Sequence, residues 1–150
     1  MATGTLPFAA KTTLTTSALN SLASATYVSA GTIDVSAINP VEMVIEVNVT
    51  PGTVAGNFQA LVFMQVSFDN TNFSTGPTSG TTATDEPNLF YLGALPLNSN
   101  STLQRKAFSV VEALGYVPPY SKVIIKNDTG AAFAGSGHAV YYATQTASIA

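Results

Sequence analysis

Apolar and polar residues alternate with a period of two along much of this chain, the pattern of half-buried β-strands. The clearest case covers residues 41–50, where Val41, Met43, Ile45, Val47 and Val49 fall on one face and Glu42, Glu46 and Asn48 on the other. Asn39-Pro40 turns the chain into this strand and Pro51-Gly52 ends it. Residues 58–68 read as a second long strand, apolar on both faces near Val62, Phe63 and Met64, which predicts a central position. Residues 120–130 are the most sharply bounded. Pro118-Pro119 stiffens the entry, Val123 and Ile125 share one face, Ile124 lies on the other, and Asn127-Asp128-Thr129-Gly130 supplies turn chemistry at the exit.

Shorter strands are predicted at 25–29 and 32–35, split by Ala30-Gly31, and at 88–92, bent by Gly93 and ended by Pro96. Two more follow at 104–111 and 138–145, and no helix beyond a turn or two is predicted. Residues 76–84 form a loop rich in Gly, Thr, Ser and Pro with no apolar anchor, so an exposed, mobile insertion is expected there. About eight short strands with Gly, Pro and Asn corners, and no internal repeat, predict an all-β fold: a jelly-roll-like antiparallel β-sandwich. Residues 26–150 are expected to form that sandwich. Residues 1–25, rich in Ala, Thr, Ser and Leu with Lys11 as the sole charge, are expected to be an extended N-terminal arm or a first irregular strand. About 25 extended residues reach up to ~80 Å, far beyond the ~15 Å radius of gyration of such a domain, so an arm would touch a neighbour.

Charge changes the picture most. Only 9% of the 150 residues are Asp, Glu, Lys or Arg, against about 25% in an ordinary soluble domain. Small hydroxyls and amides replace them, giving a surface whose contacts depend weakly on salt and whose copies repel each other weakly. A net charge of −3 and five scattered cations argue against a nucleic-acid partner. No apolar run approaches a membrane span, and the N-terminus lacks a signal-peptide pattern, so neither membrane insertion nor export by that route is expected. With no cysteine, disulfides, thiolate catalysis and Cys-based zinc sites are absent.

Candidate chemistry is thin. The single histidine, His138, lies two residues from Ser136, but Gly135 and Gly137 read more simply as a loop before the last strand than as a nucleophile elbow. Asp69-Asn70-Thr71-Asn72 is rich in oxygen yet lacks the spacing and trailing Glu of a calcium loop. No catalytic residue, cofactor or metal ligand is assigned, and the chain is not expected to be an enzyme. The candidate interface residues are apolar: Leu6, Phe8, Leu14, Leu19 and Leu22 on the N-terminal segment, and Tyr116, Val117, Pro118, Pro119 and Tyr120 ahead of the 120–130 strand. Tyrosines on a stiff segment suit protein contacts and, as an alternative, a carbohydrate-binding β-sandwich module using Tyr116, Tyr120 or the 76–84 insertion.

Two stretches carry a resemblance. Val66-Ser67-Phe68-Asp69-Asn70-Thr71-Asn72-Phe73 resembles the S-x-D-x-T-N-F hairpin of tailed-bacteriophage virion domains. The 120–130 strand with its Asn127-Asp128-Thr129-Gly130 exit resembles their late strand ending in N-x-T-G. Among such proteins, size and predicted fold are similar to jelly-roll capsid decoration (cement) proteins. The resemblance implies a non-enzymatic virion structural protein on the capsid surface, binding the outside of the shell across junctions of the major capsid protein. It implies a homo-oligomer, dimer or trimer; a phage tail or baseplate component is the alternative within virions.

Overall fold

The computed structural model describes residues 4–149, apart from the side chain of Ile149. Its strands are β1 (Gly4–Thr5), β2 (Thr12–Thr15), β3 (Tyr27–Asp34), β4 (Glu42–Val49), β5 (Gln59–Ser67), β6 (Ser79–Gly80), β7 (Phe90–Pro96), β8 (Gln104–Ser109), β9 (Tyr120–Asp128), β10 (Ala139–Gln145) and β11 (Ser148–Ile149). One short helix, α1 (Val110–Leu114), and a 3-10 turn at Glu86–Asn88 complete the order. A four-stranded sheet, β2-β10-β4-β8, packs on a five-stranded sheet, β6-β3-β9-β5-β7, and β1 pairs with β11 in a separate ribbon. Setting aside the two-residue strands β1, β6 and β11, the first strand pairs with the last, β2 with β10, and inward from there β3 pairs with β9, β4 with β8 and β5 with β7, all antiparallel. That nesting is one long antiparallel ribbon rolled up so that successive pairs land in alternate sheets, the jelly-roll order. The expected all-β sandwich is the fold found.

Sequence alternation places the core. Met43, Ile45, Val47 and Val49 of β4 are fully buried between the sheets, where they meet Val62, Met64, Val123, Ile125 and Val140. Ile124 points the other way, into a second cluster with Tyr27, Phe63 and Leu89 on the outer face of the five-stranded sheet. Val41 was expected on the inner face but lies ahead of β4, 48% exposed, with its N–H donated to the Gln145 carbonyl. The predicted strands at 25–29 and 32–35 are one strand, β3, with a register shift between Ser29 and Gly31. Gly31 sits at φ +132°, and a Cβ there would lie 3.0 Å from the Leu14 side chain, so the bulge requires glycine.

Three expectations change. The strand predicted at 104–111 stops at Ser109, whose hydroxyl accepts the Glu112 N–H at 3.0 Å and caps α1. Ser109-Val110-Val111-Glu112 is an S-x-x-E helix start, a signal present in the sequence. The N-terminal segment is divided: β2 pairs with β10, Leu14 packs on the core, and Leu19 and Leu22 are buried within it. Residues 12–25 therefore belong to the body, and the stretch from Gly4 to Lys11 lies exposed along it, tied by the Phe8–Gln145 bridge and the Lys11–Glu46 ion pair; residues 1–3 lie outside those described.

The insertion is pinned as well. From Ser67 the chain crosses the outer face of the five-stranded sheet, pairs Ser79–Gly80 with Val28 and Tyr27 at the far edge, and returns to β7. Gln65 Nε2 donates to Ser74 O at 2.9 Å, Leu89 is buried, and Lys126 Nζ meets Glu86 Oε2 at 2.9 Å. It is a strap, exposed at residues 78–85 and fastened on both sides.

Candidate functional site

The jelly roll gives the body two unlike ends. Connections β3–β4, β5–β7 and β8–β9, the start of β2 and the end of β10 lie at one end, which we call the terminal end. Connections β2–β3, β4–β5, β7–β8 and β9–β10 meet at the other, the closed end.

The terminal end exposes large apolar side chains. Leu6 is 57% exposed, Phe8 53%, Ile38 49%, Val41 48%, Phe68 69% and Tyr116 38%. Leu6, Phe8 and Val41 gather around the end of β10: Gln145 Nε2 donates to Leu6 O, Val41 N–H donates to Gln145 O, and Ala9 N–H donates to Thr144 O, each at 2.8 Å. Phe68 and Tyr116 stack with ring centroids 6.2 Å apart and planes 25° from parallel. Of the predicted segment 116–120, only Tyr116 faces outward. Val117 packs against the core, Pro118 is buried, Pro119 offers its carbonyl to Val35 N–H at 2.9 Å, and Tyr120 is half-buried in β9 opposite Asp34 and Ser67. Leu19 and Leu22 are likewise lost as contact points, because the sandwich uses them as core.

The closed end is knitted. Fully buried Asn127 donates through Nδ2 to Leu22 O at 2.8 Å and Ala131 O at 2.7 Å. Its Oδ1 accepts from Thr129 N–H at 3.0 Å and Thr129 Oγ1 at 2.7 Å. His138, 5% exposed, accepts Thr50 N–H at Nδ1 (3.2 Å), which leaves Nε2 to donate to Ala134 O (2.9 Å). Both ring nitrogens are taken by main chain, so none is free to activate Ser136. Ala134 N–H donates in turn to Thr50 O, and Ser21 N–H to Ala134 O. At Gly130, φ +81°, a Cβ would fall 2.0 Å from Ala55 O, so this crossing excludes any side chain.

Electrostatics serve local order. Asp69 accepts from Asn72 N–H and Nδ2 (both 2.7 Å), Thr71 N–H (2.9 Å) and Ser67 Oγ (2.9 Å), which holds its carboxyl well below the usual carboxylate range. Both its oxygens are thereby engaged within its own turn. Among the described residues no cluster of three or more His, Asp or Glu is placed to hold a metal ion, and no helix is long and apolar enough to cross a membrane. Under the strap, burial works to raise the Glu86 carboxyl, but the Tyr27 hydroxyl and Lys126 ammonium outweigh it and hold it below its usual value. The same contacts outweigh burial at Lys126 and raise its ammonium. Burial and the Glu86 contact raise the Tyr27 phenol.

Two hollows flank Tyr91 on the edge strand β7. A groove of about 460 Å³ on the outer face is lined by Leu61, Phe63, Glu86, Pro87, Leu89 and Tyr91. A cleft of about 420 Å³ toward β8 and α1 is lined by Lys106, Phe108, Ser109 and Glu112 among others. Neither was foreseen. The signal for the first was the apolar outer face of residues 58–68, which pointed to a covering element, here the strap.

Comparison with protein-family models, with curated proteins and with solved structures finds no match to this chain.

Proposed function

We propose that this chain is a non-enzymatic virion structural protein, a capsid decoration (cement) protein that binds the outside of the shell and bridges junctions of the major capsid protein. The observation that carries the reading is the terminal end: six exposed apolar side chains gathered at one end of the jelly roll, with no metal-binding cluster among the described residues. Exposed apolar patches on a stable body are docking surfaces far more often than ornaments. The low charge of the chain supports the same reading, since closely spaced copies repel each other little. A part that bridges seams gains from repetition, because each added contact on the shell acts at high effective concentration.

The test is direct. Purified protein added to preformed shells is expected to bind them and raise their melting temperature, with Phe68→Asp weakening the effect. Absence of binding to shells overturns the capsid reading, and selective binding to isolated tails transfers the protein to the tail or baseplate.

A further inference from the structure

Leu6 and Phe8 are each more than half exposed, on a stretch from Gly4 to Ala10 that carries no charge. Pro7 fixes its own φ and biases Leu6 toward extended backbone, so these side chains project from a stiffened segment. That segment is already tied to its own body through Ala9 N–H to Thr144 O and Gln145 Nε2 to Leu6 O, both 2.8 Å. The backbone is held while the side chains remain uncovered.

The outer-face groove is a matching receptor. Its walls are Leu61, Phe63, Pro87, Leu89 and Tyr91, and its volume is about 460 Å³. Its one charged lining group, Glu86, already receives the Tyr27 hydroxyl and the Lys126 ammonium on Oε2. The groove therefore presents apolar walls and a carboxylate already neutralised by its own lysine. Neither a cationic nor an anionic segment improves on that match; an uncharged apolar one does, and this chain carries one.

We propose that Leu6 and Phe8 of one copy insert into the Leu61–Phe63–Tyr91 groove of a second copy. Knob and groove are different surfaces: used reciprocally about a twofold axis they close an isologous dimer, and used head-to-tail they close a ring or propagate if the rotation does not close. Burial of apolar surface drives it, so its strength changes little with salt. The proposal does not rest on the shell-binding reading: it uses Leu6 and Phe8 and leaves Ile38, Val41, Phe68 and Tyr116 of the terminal end for the shell.

Sedimentation of the purified protein over a range of concentrations tests it. The wild type is expected to self-associate. The double variant Leu6→Asp/Phe8→Asp removes the knob, and Tyr91→Asp charges the groove mouth. All three positions are at least half exposed, so the folded body is kept, which unchanged melting temperatures verify. Each variant alone is expected to self-associate at least about tenfold more weakly. Mixed together they are expected to form a 1:1 complex, because one supplies an intact groove and the other an intact knob. A monomeric wild type overturns the proposal. So does a mixture as inert as its parts, which would mean that Leu6 and Phe8 meet some other surface. Failure here leaves shell binding standing, and failure of shell binding leaves this contact standing.

Discussion

The two ends of this sandwich are made from the same kinds of residue and do opposite things with them. At the closed end, the β2–β3, β4–β5 and β9–β10 connections share their backbone groups through Asn127, Thr129, His138 and Thr50, the β7–β8 connection joins them through Ser101 N–H to Pro51 O, and even the lone histidine is spent on main chain. At the terminal end the loops hold one another more sparingly and leave Leu6, Phe8, Ile38, Val41, Phe68 and Tyr116 uncovered. A polar side chain that satisfies buried backbone gives rigidity and uniqueness. An apolar side chain that satisfies nothing in its own body is available to another. On the proposed reading, stability and recognition are separated between the two ends of the body.

The largest effect that sharpens this contrast is a truncation. Deleting residues 1–11 removes β1, the Ala9–Thr144 hydrogen bond and the Lys11–Glu46 ion pair but no core residue among those described, and the protein is expected to fold with a near-native melting temperature. Deleting residues 1–25 also removes β2, Leu14, Leu19 and Leu22, and is expected to leave the chain unfolded by circular dichroism, since each lost core leucine costs about 2–5 kcal/mol. Equal stability of the two truncations would mean that residues 12–25 are not structural.

Next comes Asn127→Ala. It strips four hydrogen bonds from a buried site and leaves the Thr129 N–H without its acceptor, while the Leu22 and Ala131 carbonyls keep only Phe133 N–H and Thr129 Oγ1, an expected loss of about 3 kcal/mol and roughly 10 °C in melting temperature. His138→Ala is expected to cost about 2 kcal/mol by the same measurement, with binding to shells by the folded protein unchanged. A His138 variant that keeps its stability would remove the closed end's claim to be a structural knot.

The strap gives a smaller effect with a pH signature. Glu86→Gln is expected to cost about 1 kcal/mol and to speed amide exchange across residues 76–88. Because the folded Glu86 carboxyl is held low, its contribution is present above the unfolded carboxylate value near pH ~4.3 and is lost as pH falls through the lower folded value. Because folded Lys126 is held high, its share is present below about pH 10.4 and is lost as pH rises through the higher folded value. Protection of the strap amides, the exchange rate taken relative to the intrinsic rate at each pH, is thus expected to be greatest between these limits in the wild type, and flatter toward acid in Glu86→Gln.

The sandwich was legible because its signals are local. Alternation in residues 41–50 and the split faces of Val123, Ile124 and Ile125 state burial directly, and the structure places each as alternation requires, apart from Val41 at the strand entry. The N-terminal leucines misled because spacing reports that residues are apolar, not which surface covers them. Leu19 and Leu22 share their core cluster with Val123, Ile125, Phe133 and Val140, each about a hundred residues or more further along the chain. The same limit hid the groove, whose walls come from β5, β7 and the returning strap. It also hid the pairing of His138 with Thr50, 88 residues apart.

The most direct test of the separation between ends compares two exposed phenylalanines. Phe68 at the terminal end is 69% exposed and Phe58 at the closed end is 47% exposed. Thermal melting of preformed shells mixed with each Asp variant reads binding without relying on the oligomer. Phe58→Asp is predicted to protect shells as well as the wild type, and Phe68→Asp to protect them much less, at equal stability of the two free proteins. Equal protection by both, or a loss confined to Phe58→Asp, would contradict the assignment of binding to the terminal end.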